Sequence, residues 1–141
     1  MSQTFTFPYH FFLGTDLQTK KLVDIYRPAV PVVIAYGSSR TLPFYAHVDS
    51  GADESLFPAS LAFEIGIDLK KGKKGKSVGI GKIEIPCYTH KVTLFFYKFD
   101  FQVEIDFAEN HQIALLGRKG FFDLFKRVSF HEKKKHIEFK I

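Results

Sequence analysis

Runs of β-branched and aromatic residues, each cut off by turn formers, confine this chain to a mostly β fold. Ala29 to Tyr36 (AVPVVIAY) is rich in Val and Ile, and Pro31 places it at an edge or a strand start. Gly37-Ser38-Ser39 is a turn signal, after which Pro43 to Val48 returns as a partner strand. Val78 to Pro86, Thr89 to Tyr97 and Phe99 to Phe107 read as further strands. Val92, Leu94 and Phe96 alternate with Thr93, Phe95 and Tyr97, which predicts a strand covered on both faces. Val128 to Phe130 and His136 to Ile141 flank a charged turn and read as a terminal hairpin. Two short helices are predicted. In Ala59 to Ile65, Leu61 and Ile65 share a face with Phe57, and Gly66 serves as C-terminal cap. Lys119 to Phe125 would place Phe121, Phe122 and Phe125 on one side. The fold class expected is mostly β, a closed or strongly curved sheet in one domain with one or two short helices.

With 141 residues, 45% of them apolar and 17 of them Phe, the chain can bury one real core and is too apolar to be disordered. Cys87 is the only cysteine, so no intrachain disulfide forms, which fits a reducing compartment. The first residues, Met1 to Thr4, lack the pattern of a signal peptide, and no apolar run approaches the ~20 residues of a membrane span. A soluble, cytoplasmic protein with no membrane contact is expected. The net charge of +5 comes largely from Lys70 to Lys76 and Lys133 to Lys135. Both clusters fall in expected loops or turns and read as solvated surface, so no nucleic-acid partner is expected.

The stretch Ala46-His47-Val48-Asp49-Ser50-Gly51-Ala52-Asp53 carries the chemistry. An apolar strand runs directly into Asp-Ser-Gly-Ala. These residues are ordinary turn formers, but they also suit catalysis. A carboxylate that activates water must be held rigidly beside a second carboxylate. Two such groups share one proton, so one acts as base toward water while the other donates to the substrate carbonyl. Gly51 permits close backbone approach, and the Ser50 hydroxyl can brace the pair.

Further along, Leu115-Leu116-Gly117-Arg118 follows Ala114 as apolar residues ending in Gly-Arg. Together the two stretches resemble the retropepsins, the retroviral-type aspartic proteases. That family carries Asp-Thr/Ser-Gly-Ala, often followed by Asp, and later an apolar-apolar-Gly-Arg motif. Arg27-Pro28 stands where retroviral members have an Arg-Pro near the start of the folded core, and Val78-Gly79-Ile80-Gly81-Lys82 where they have a glycine-containing flap. The resemblance covers about residues 27–141, read as a retropepsin-like domain with a closed acid-protease barrel. It leaves 1–26 as an extension whose Phe5, Phe7, Tyr9, Phe11 and Phe12 should pack on that domain.

The resemblance implies an aspartic endopeptidase acting on polypeptides. Because the chain holds one Asp-Ser-Gly, the active form would be a homodimer contributing Asp49, Ser50 and Gly51 from each copy. Ala52, Asp53, Gly79, Ile80 and Gly81 would contact substrate. Gly117, Arg118 and Arg27 would support the site, Arg118 by pairing with Asp53 and Arg27 by reaching in from the partner. No metal and no cofactor is implied. The chain departs from the retroviral pattern in a longer first hairpin, a flap with fewer glycines, and a second strand after Lys133-Lys134-Lys135, so the dimer contact at that end is expected to differ.

Other motifs carry less. Gly72-Lys73-Lys74-Gly75-Lys76-Ser77 superficially resembles a phosphate-binding loop, but its glycines are too close and a β segment follows. Gly79-Ile80-Gly81 lacks the third glycine and the βαβ context of a dinucleotide site. The histidines show no metal-ligand spacing. His47 reads as structural or surface, and Cys87 has no partner signature for a nucleophile. The alternative reading is a catalytically inactive retropepsin-fold dimerisation or binding module.

Overall fold

The longest hairpin sets the frame. In the computed structural model, which describes residues 2–141, Glu84–Phe96 and Phe99–Ala108 pair antiparallel from Phe99↔Phe96 to Phe107↔Tyr88. In chain order the strands are β1 (Thr4–Pro8), β2 (His10–Thr15), β3 (Leu22–Arg27), β4 (Ala29–Tyr36), β5 (Ser39–Arg40), β6 (Phe44–Val48) and β7 (Leu56–Pro58). After them come β8 (Lys73–Val78), β9 (Glu84–Phe96), β10 (Phe99–Ala108), β11 (Leu115–Leu116), β12 (Arg127–His131) and β13 (His136–Lys140). The main sheet runs β5-β4-β6-β11-β7-β10-β9-β8, and an extra β4–β9 pairing through Val33↔Phe95 closes β4, β6, β11, β7, β10 and β9 into a six-stranded barrel. Closure removes the open edges that β4 and β9 would otherwise present.

The barrel interior takes the apolar face of each strand. Val30, Ile34, Leu94, Ile105 and Phe107 are fully buried. At one end the core continues into a three-stranded sheet, β1-β13-β12. Phe5 of β1 stacks on Phe139 of β13 with ring centroids 5.4 Å apart, and Phe139 meets Phe96 edge-on at 5.0 Å. Such pairs add about 0.5–1.5 kcal/mol each beyond area burial. β2 and β3 form a separate two-stranded hairpin from His10↔Arg27 to Thr15↔Leu22, with Phe11 and Leu13 exposed and Phe12 half-buried.

Among the described residues there is one α-helix, α1 (Ala59–Glu64), closed at its C-terminus by Gly66 at φ +80°. The helix expected over Lys119–Phe125 is instead a single 3-10 turn, Phe122–Leu124. The Lys119 carbonyl, which a helix would aim at residue 123, accepts from the Ser55 N–H and hydroxyl, and Gly120 turns the chain at φ +92°. The run Val78 to Pro86 is likewise not one strand. It divides at a turn over Gly79–Ile83 between β8 and β9. Lys73, Lys74 and Lys76 therefore lie on a strand rather than in a loop. They are exposed there because β8 is the free edge of the sheet, where lysines block further pairing. Lys133 to Lys135 do occupy the turn between β12 and β13. Among the described residues, no helix is long and apolar enough to cross a membrane.

Candidate active site

Asp49 leaves the end of β6 under backbone restraint from both sides. β6 pairs with β4 and β11, and His47 N–H donates to the Ala114 carbonyl at 2.8 Å, Val48 N–H to Pro28 at 2.8 Å and Asp49 N–H to Leu116 at 3.0 Å. Val48 is 3% exposed, so the strand delivers Asp49 from the core to a half-buried position. The chain then turns, with Ala52 N–H donating to the Asp49 carbonyl at 3.2 Å. Gly51 N–H donates to Asp49 Oδ1 at 2.9 Å. A Cβ on Gly51 would lie 3.3 Å from that oxygen. Ser50 is exposed beside it.

The two motifs found in the sequence are stitched together here. Arg118 N–H donates to the Ala52 carbonyl at 2.8 Å, and Lys119 N–H to Asp53 at 2.9 Å. Ser55, 1% exposed, accepts from Gly117 N–H at 3.0 Å through its hydroxyl and donates to the Lys119 carbonyl at 3.0 Å. Segment 49–55 thus rests on segment 116–119. Asp53 Oδ1 and Arg118 Nη1 are 3.9 Å apart. The pair is present, with both side chains exposed within one chain, 91% and 68%.

Two depressions meet at Asp49. One, about 750 Å³, runs under the β8–β9 hairpin between Gly51 to Glu54 and the hairpin residues Lys76 to Gly79, with Leu56, Ile85, His111 and Leu115 completing the wall. The other, about 500 Å³, is lined by Arg27, His47, Asp49, Ile113, Leu115 and Phe130 among others. Ile113 and Phe130 are exposed apolar residues there. Arg27 is seated over the Phe12 ring, 5.5 Å from its centroid, beside this second depression. Gly79 borders the first. Gly81 is at the tip of the hairpin at φ +83°, and the contact expected of the Ile80 side chain lies outside the described residues.

The sequence reads His47 as structural or surface and does not single out His111 or Glu54, yet all three line the depressions at Asp49. His47 lines the same depression as Asp49, and its ring lies over Phe12 at 5.2 Å. Burial, then the Arg27 charge, push its pKa below the usual imidazole value despite the opposing Asp49 charge. His111 is lowered chiefly by burial. Strand alternation could have flagged His47, which sits on β6 two residues before Asp49. Glu54 is the other omission. Hydrogen bonding to Asp106, its charge, and then burial raise the Glu54 carboxyl to about 7. Among the described residues no cluster of three or more His, Cys, Asp or Glu side chains is placed to hold a metal ion.

The architecture has counterparts among solved structures. The crystal structure of a retropepsin-like aspartic protease from Rickettsia conorii superposes with TM-score 0.59 over 99% of this chain and 94% of that one, at 13% identity. EIAV protease complexed with the inhibitor HBY-793 matches 65% of this chain and 82% of that one, at 22% identity and TM-score 0.49. No protein-family model and no curated protein matches the chain. The chain has the retropepsin-like fold.

Proposed function

We propose that this protein is an aspartic endopeptidase whose active site forms when two copies bring their Asp49 residues together. The observation that carries the reading is the setting of Asp49. A half-buried carboxylate, held by Gly51 N–H and by the pairing of β6 with β11, opens on one side to a groove under a hairpin and on the other to an apolar concavity. The groove suits an extended peptide, bonded by backbone and gripped by alternate side-chain pockets. The concavity with Ile113 and Phe130 suits a second copy across a two-fold axis.

Within the dimer one Asp49 would be ionised and the other protonated. The ionised group takes a proton from water, which attacks the scissile carbonyl. The protonated group donates to the carbonyl oxygen, and the leaving amine recovers a proton from the dyad. Ser50 would brace the two loops, while Ala52, Asp53 and the hairpin residues Gly79 to Gly81 hold the substrate. Leu56, Val78, Ile85 and Leu115 favour large apolar side chains flanking the cut. The dimer contact at the chain's end would differ from the retroviral one, since the last strand, β13, pairs with β1 on one side and β12 on the other. The copies would meet through the Asp49 face, with Arg27 reaching the partner.

Asp49→Asn tests the reading. It should keep fold and assembly and abolish cleavage of an unfolded protein substrate, and mixed dimers with wild-type chains should also be inactive. Turnover by the homogeneous variant would refute the mechanism. Dimers that never cleave at any pH would favour a binding module instead.

A further inference from the structure

The β2–β3 hairpin presents an apolar face that the barrel leaves open. Its register, Phe11↔Tyr26, Leu13↔Asp24 and Thr15↔Leu22, sets these residues on one side. Phe11, Leu13, Leu22 and Tyr26 are each at least half exposed there. The opposite side fastens the base of the hairpin to β6. Phe12 lies over the His47 ring at 5.2 Å, Arg27 over the Phe12 ring at 5.5 Å, and His10 stacks on Tyr45 at 3.6 Å.

Such a hairpin needs cover on its other face. Two strands alone are marginal in water, and among the described residues β2 and β3 pair only with each other, so both keep a free edge. The free edge at β8 is guarded by Lys73, Lys74 and Lys76. β2 carries no acid, lysine or arginine, and β3 carries only Asp24 and Arg27. An unguarded edge beside a contiguous apolar face marks a surface that another protein surface covers.

The root of the hairpin indicates which surface. Arg27 and His47, between which Phe12 is held, line the Asp49 depression together with Ile113 and Phe130. The open face therefore continues the face through which two copies would bring their Asp49 residues together. A stable interface takes ~800 Å² from each partner. Ile113 and Phe130 are the exposed large apolar residues of the depression, and two side chains of at most ~250 Å² each fall short of that area. Four more on the hairpin bring it within reach. The last strand, β13, has no free edge to lend, being paired on both sides. We infer that the outer face of β2–β3 is a dimerisation arm that seats on the second copy beside the paired Asp49 residues. The choice of a second copy rests on the endopeptidase reading above, in which one chain holds only half of the site.

The test uses the whole chain in the Asp49→Asn background, so that self-cleavage cannot intervene. Leu13→Lys combined with Leu22→Lys changes two exposed positions, so the thermal midpoint of the dilute monomer should not move. Sedimentation equilibrium should show the dimer dissociation constant raised ~10-fold or more. Phe63→Lys, at a comparably exposed apolar position on α1, should leave that constant unchanged. Amides of β2 and β3 should exchange more slowly as the chain with the native hairpin is concentrated, but not in the double variant. Equal dissociation constants with and without the two lysines, or an equal loss from Phe63→Lys, would overturn the arm. So would a chain that stays monomeric at every concentration while phosphatidylcholine vesicles protect its hairpin amides, which would assign the face to a membrane. Activity with Asp49 restored separates the two readings. A double variant that dimerises and cleaves like wild type overturns the arm and leaves the endopeptidase standing. Dimers that depend on the hairpin yet cleave nothing sustain the arm and sink the endopeptidase reading alone.

Discussion

At position 117 any side chain would strike backbone. A Cβ there would lie 2.3 Å from the Glu54 carbonyl oxygen and 2.8 Å from that of Ala52. Gly117→Ala should therefore destabilise the chain by at least ~1–3 kcal/mol, read by urea unfolding, because neither contact can rotate away. Ser55→Ala should cost about 1–3 kcal/mol by stranding the buried Gly117 N–H. Asp53 and Arg118 behave differently. At 3.9 Å and with both side chains exposed, the pair should contribute no more than ~1 kcal/mol to a single chain. A double-mutant cycle run at low protein concentration should give a coupling within that bound. A larger coupling should appear only at concentrations where a partner covers the pair. Large coupling in dilute monomer would contradict the geometry.

The β8–β9 hairpin is where an element, not a residue, governs behaviour. Val78 and Ile83 flank its tip and are exposed, 60% and 65%, so the hairpin presents apolar residues to solvent. Its two glycines are not equivalent. Gly81 sits at φ +83°, a conformation that costs a β-branched residue dearly, whereas Gly79 is extended at φ −95° and a Cβ there would meet nothing within 4 Å. Gly81→Val should distort the turn and lower kcat/KM strongly, while Gly79→Val should leave the turn intact and change it less. Equal effects would mean that backbone freedom at the tip is irrelevant to substrate capture. The same reasoning explains the missing second helix. Periodicity placed Phe121, Phe122 and Phe125 on a helical face, and two of them, Phe121 and Phe125, are buried, but the carbonyl needed for the first turn was already taken by Ser55.

At the scale of the whole molecule the proposed endopeptidase depends on assembly. One chain carries one Asp49, so specific activity should fall on dilution as dimers separate. Sedimentation and activity measured over the same concentrations should show one transition. Arg27→Ala should move that transition to higher concentration while leaving the fold of each chain intact, because the Arg27 side chain is exposed and lies over the Phe12 ring beside the Asp49 face. Full cleavage by a strict monomer would overturn the dimer proposal.

What the amino-acid order determined by itself is local. The strand at Ala29–Tyr36, the return into Asp49, α1 with its Gly66 cap and the terminal hairpin are all legible, because each is dictated by neighbours a few residues away. The Asp49 and Gly117 motifs are legible as pieces for the same reason. Their joining is not. Residues 52–55 and 117–119 are more than sixty positions apart, and the bonds through Ser55 that unite them exist only once the barrel has closed. Closure also decided that β1 pairs with β13, that the lysines of β8 lie on a sheet edge, and that Glu54 and the buried Asp106 line one depression. No periodicity records a contact between strands that meet across a barrel, since what selects it is the burial of faces contributed by distant segments.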